Sequence, residues 1–142
     1  MSIREPYTLK QTAQRIKQEI ATEDETASPW IPIREWLDDF YRIRAEEPEE
    51  IRKLLVEEPP ATGEKEFDAY IEALAEHMAF HNNLEPPAWC TEVSQSLTPF
   101  WFPRYTVEER AMTDSPAAFR RRGIFVEKGA LERSMSDYRG ES

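Results

Sequence analysis

Apolar side chains recur every three or four residues in four separate stretches of the chain, the spacing that gathers them on one face of a helix. This confines the fold to helices packing on helices. At about 100° per residue, Leu9, Ala13, Ile16 and Ile20 share a narrow arc, while Lys10, Gln14, Arg15 and Gln18 face away, which predicts a helix over 8–21. Ile33, Trp36, Leu37 and Phe40 form the next stripe, with Ser28 placed to cap it and Pro29 or Pro32 suited to its first turn. Pro48 opens a short third helix with Ile51, Leu54 and Leu55 inward, and Pro59-Pro60 ends it. A longer helix over 64–82 carries Phe67, Ile71, Leu74, Met78 and His81, with Tyr70 and His77 on one flank.

From Leu84 to Pro103 the periodicity disappears into prolines and aromatic rings, so an irregular segment packed by its own rings is expected. Thr106 with Glu109 resembles a capping box, Ser115-Pro116 a helix start, and Gly123 a left-handed terminator. Ile124 to Val126 reads as a short extended piece, followed by a last turn around Ala130–Arg133. The expected fold class is all-α, a compact bundle of five to six helices with the irregular Pro/aromatic-rich segment at about 84–103. One helical domain over 1–134 and a flexible tail over 135–142 complete it.

A chain of 142 residues is long enough to bury a conventional core without cross-links, and its single cysteine, Cys90, cannot form an internal disulfide. The first residues lack the apolar run of a secretory signal, and no stretch reaches the length of a membrane span, so a cytoplasmic setting and no membrane are expected. Charge is uneven. The total is −10, yet residues 1–99 hold ten basic and twenty-one acidic side chains, against eight and seven in 100–142. Nucleic acid is disfavoured on the acidic face, because phosphate binding needs clustered Lys and Arg.

The segments LDDFYRIR at 37–44, YIEALAEHMAFHNNLEPPAW at 70–89, LTPFWFP at 97–103 and SPAAFRRRGIFVEKGALER at 115–133 together resemble an uncharacterised family of small helical bacterial proteins found in toxin–antitoxin or regulatory modules. Some members of that family carry a helix-turn-helix segment; this chain has no recognisable DNA-reading helix pair. The resemblance implies a role within a module and no particular chemistry.

His77 and His81 stand one helical turn apart, beside Glu76 and nine residues before Cys90, which is the start of a metal-ligand set. Zinc needs three or four convergent ligands and the chain has two histidines, so no metal is expected, and His81 reads as a core histidine on the apolar stripe; His77, His81 and Cys90 stand as the alternative metal set. Arg120, Arg121 and Arg122 fan around a helix, so at least one points inward, toward Asp38, Asp39 or Glu76. The structural ion pair is assigned to Arg120, leaving Arg121 and Arg122 to a partner. Phe100, Trp101 and Phe102, between two prolines, form an aromatic run that either tucks against the helices or leaves a ring outward as a binding anchor. The acidic clusters around Glu46, Glu49 and Glu57 are solvated helix ends, or else mimics of a phosphate backbone for a basic partner.

No spacing ties a nucleophile to either histidine, so no catalytic residue and no cofactor are expected. The function read from the sequence is a non-catalytic, protein-binding component of a toxin–antitoxin-like or regulatory module, neutralising or scaffolding a toxin or regulator. A small metal-dependent enzyme centred on His77 and His81, or a nucleic-acid binder using Arg120–Arg122, are the alternatives.

Overall fold

The structure, a computed structural model, describes residues 5–91, 97, 100–103 and 106–132. The fold is all-α: among the described residues there are helices and no strand. The elements are α1 (Leu9–Ala21), α2 (Trp30–Glu46), a 3-10 helix at Pro48–Leu54, α3 (Lys65–His81), α4 (Ala88–Thr91), α5 (Glu108–Asp114), α6 (Ala117–Arg120) and a 3-10 turn at Lys128–Leu131. None of these helices is long and apolar enough to cross a membrane. The chain divides into two compact units, one ending at Thr62 and one spanning Gly63–Glu132.

In the first unit, α1 packs on α2 through the stripe that periodicity marks out, with Leu9, Ala13 and Ile16 buried and Ile20 at the margin. Its start is a capping box: the Thr8 hydroxyl accepts from the Gln11 amide and the Gln11 side chain accepts from the Thr8 amide. At α2, Pro29 takes the cap position and the Ser28 hydroxyl accepts from the Trp30 amide at 3.2 Å. The segment opened by Pro48 is a 3-10 helix instead of an α-helix. Trp36 donates its indole N–H to the Leu54 carbonyl at 3.2 Å, and this tight segment lays Ile51, Leu54 and Leu55 into the core. Asp39, expected as a partner for the arginines, accepts from the Tyr7 amide at 2.8 Å and lies 3.7 Å from Arg42. Its neighbour Asp38 is exposed.

The second unit is arranged on α3, which is buried around most of its circumference and packs against α4 and α6. Ile16, Ile33, Trp36, Leu37 and Phe40 of the first unit and Phe67, Ile71, Leu74 and Met78 of the second, the apolar residues that periodicity places inside, are all buried, as is Phe119. His81 does not lie in the core, where the apolar stripe would place it. It is the last residue of α3 and exposed, and the buried histidine is His77, because the apolar surface that covers the helix runs out at its final turn.

Two helix starts also differ from expectation. Thr106 does not cap α5; Val107 holds that place without a side-chain cap, its amide bonded to the Glu127 carboxylate at 3.2 Å. Ser115 does not cap α6 either, since its buried hydroxyl donates to the Ile124 carbonyl and accepts from the Val126 amide, both at 3.2 Å. Those bonds tie the extended piece Ile124–Val126 to the helix start.

Within 84–103, α4 supplies one helical turn and the Trp101 stretch runs parallel to Ile124. The Leu97 amide bonds to the Arg122 carbonyl, the Trp101 amide to the Gly123 carbonyl, and the Phe125 amide to the Trp101 carbonyl, at 2.8–2.9 Å. Gly123 makes this approach possible. Its φ is +77°, and a Cβ there would lie 2.6 Å from the Leu97 carbonyl oxygen. The expected tail over 135–142 lies outside the described residues.

Candidate functional site: an arginine node and a histidine-lined cleft

α6 is a single turn, after which the chain reverses at Gly123. That reversal directs Arg122 onto α3, where Glu72 and Glu76 stand four residues apart on one face. The Arg122 side chain is 0% exposed. Its Nε donates to Glu72 Oε1 at 3.2 Å, one terminal nitrogen to Glu76 Oε1 at 2.7 Å and to the Ala118 carbonyl at 2.8 Å, and the other to the Cys90 carbonyl at 2.8 Å. One guanidinium thus joins α3, α4 and α6, a use that a planar fork of donors suits and an ammonium does not. Arg121, half-exposed, pairs with the second oxygen of Glu76.

The inward arginine is therefore Arg122, and Arg120 turns outward to the Met112 and Ser115 carbonyls at 3.1 and 3.3 Å, with its guanidinium 5.8 Å from the Phe125 ring. Arg122 is not available to a partner as the sequence reading has it. The three arginines fan in three directions, because successive side chains diverge by about 100° around a helix.

A line of rings runs along α3. Trp101 meets Phe67 at 5.5 Å and Tyr70 at 6.4 Å between centroids, Tyr70 meets Phe119 at 5.1 Å, Phe119 meets His77 at 5.9 Å, and His77 meets His81 at 4.3 Å. Phe80 ends it, edge-on to His81 at 5.4 Å. At this end a cleft of about 550 Å³ opens, floored by Glu76, His77, Phe80 and His81 of α3 and walled by Pro86, Asp114, Pro116, Ala117, Ala118, Arg121 and Lys128. His77 is 8% exposed, and burial, with the nearby His81 and Lys128, lowers its pKa to about 4. At neutral pH it is an uncharged imidazole with one donor and one acceptor.

Cys90 does not join the histidines. It is buried, its thiol directed to the Pro87 carbonyl at 3.2 Å, and burial pushes its pKa up to about 11, which makes it neither a ready nucleophile nor a ready ligand. Among the described residues no three His, Cys, Asp or Glu side chains converge as a metal site.

The Phe100–Phe102 run divides. Trp101 packs inward in the line of rings, Phe102 stacks on Phe125 at 5.4 Å, and Phe100 rests on the same ring at 5.1 Å while staying 65% exposed. Sequence reasoning missed Glu72, Phe80, Asp114 and Lys128. Glu72 had a signal, its spacing of four from Glu76; the others carry none without the cleft.

No protein-family model, curated protein or solved structure matches the chain. Fold and site together define an all-α protein whose second unit is held by a buried arginine and carries an exposed aromatic ring, Phe100, and a mixed cleft.

Proposed function

We propose that this protein is a non-catalytic, protein-binding component of a bacterial toxin–antitoxin-like or regulatory module, which neutralises or scaffolds its partner. The observation that carries this reading is Phe100. A ring 65% exposed, seated on Phe125 and next to the backbone bonds of Trp101, is an apolar projection of the kind that dominates binding hot spots. The formal charge of −10 favours a basic partner, whose approach it would steer. The arginines support protein over nucleic acid, since Arg122 is internal and Arg121 is paired with Glu76.

Affinity capture from the native host with wild-type protein and with Phe100→Ala tests the reading. A stoichiometric protein partner retained by wild type and lost by the variant is expected, with the fold unchanged because Phe100 is outside the core. An equally retained partner, or nucleic acid in its place, would refute it.

A further inference from the structure

Two features of the cleft beside α3 point to a ligand and are independent of the surface around Phe100. His77 is 8% exposed and lines the cleft, and among the described residues neither ring nitrogen has a hydrogen-bond partner. These nitrogens are not among the buried polar atoms left without a partner, so they open onto the cleft, where an entering group can reach them. Phe80, 76% exposed, stands at the same place, and among the described residues His81 is the one ring against it.

The charges narrow the chemistry. Arg121 is committed to Glu76, whereas among the described residues the Lys128 ammonium meets no carboxylate. One uncommitted cation suits one negative charge, and Asp114 in the lining disfavours an anion carrying two. The remaining wall, from Pro86 and Pro116 to Ala118, is apolar, and a volume of about 550 Å³ lies in the range of small-molecule sites. A polypeptide segment would bring several amide groups into a cleft whose uncommitted polar side chains are few.

We propose that this cleft binds a small aromatic monocarboxylate, its ring against Phe80 and its carboxylate between His77 and Lys128. The neutral His77 ring supplies an N–H to one carboxylate oxygen, and Lys128 supplies the countercharge.

The test is calorimetric titration of the full chain with 3-phenylpropanoate, its neutral amide, and the tripeptide Gly-Gly-Phe, with the histidine ring signals followed by NMR. The acid is expected to saturate one site, to shift the ring signals of His77 and His81, and to bind about tenfold more tightly than the amide. Lys128→Gln should remove that preference and leave the amide's affinity unchanged. Phe80→Ala should weaken both by about tenfold. Both side chains are exposed, so the variants should keep the wild-type circular dichroism. Equal affinity for acid and amide, or no saturable binding of the acid up to about 10 mM, overturns the proposal. Tighter binding of the tripeptide than of the acid also overturns it, in favour of a chain end as occupant. Any of these failures leaves the Phe100 reading intact, because that reading is tested at a different surface.

Discussion

Replacing Arg122 with Met tests the node that holds the second unit. The substitution keeps much of the side chain's length but removes four hydrogen bonds, two to carboxylates and two to the Ala118 and Cys90 carbonyls. Breaking a buried ion pair by deleting one partner costs about 3–5 kcal/mol, because the surviving charge stays in place without compensation. Here Glu72 and Glu76 keep 13% and 18% of their side-chain surface, and Arg121 still holds Glu76, so part of that penalty is relieved. The two carbonyls have no such relief, at about 1–3 kcal/mol for each buried acceptor left unmet.

The expected loss is therefore at least about 3 kcal/mol, measured by urea unfolding, with a fall in Tm of at least about 6 °C. Arg122→Met combined with Glu72→Gln and Glu76→Gln should recover about 1–2 kcal/mol of it, since no carboxylate is then stranded. A loss under about 1 kcal/mol in the single variant would refute the reasoning, for it would mean that the guanidinium is spectator to the packing of α3, α4 and α6.

Phe40→Ala in α2 should cost about 3–5 kcal/mol in the same assay, as expected for a fully buried ring; a loss under about 1 kcal/mol would contradict its place in the core. His77 should make stability pH-dependent. Its pKa in the fold, about 4, lies below the ordinary value near 6.5, so the unfolded chain takes up the proton first; its contribution is complete above about pH 6.5 and is lost as pH falls toward 4, by about 2–3 kcal/mol. Subtracting the His77→Gln profile isolates this slope, and a difference that is flat or rises toward acid would be the wrong sign. Gly123→Ala should destabilise by about 2–3 kcal/mol, since it combines a left-handed backbone with a Cβ pressed against the Leu97 carbonyl; an unchanged urea midpoint would show that the 97–101 stretch can move aside.

What was legible in the sequence is what local spacing decides. The stripes of α1, α2 and α3 lie inward because each repeats over several turns, and no distant contact is needed to choose the face. Where a choice depended on the chain returning from afar, local patterns misled. Ser115 and Thr106 have the right residue types to cap helices, but Ser115 is claimed by the backbone of Ile124 and Val126, and the amide of Val107 by Glu127. One arginine had to face inward, yet which one follows from the turn at Gly123 and its pairing with Leu97 and Trp101. Similarly, Lys128 and Asp114 become neighbours of the histidines only once the chain after α6 has folded back.

The separation of Arg122 from its carboxylates has a consequence for biosynthesis. Glu72 and Glu76 precede it by 50 and 46 residues. At about 5–20 residues per second, the ribosome adds the guanidinium roughly 2–10 s after the two glutamates. Through that interval α3 carries two like charges on one face without their buried counterion. Nascent chains arrested before Arg122 should therefore remain open to protease across α3, and protection should arrive as one step when Arg122 clears the exit tunnel.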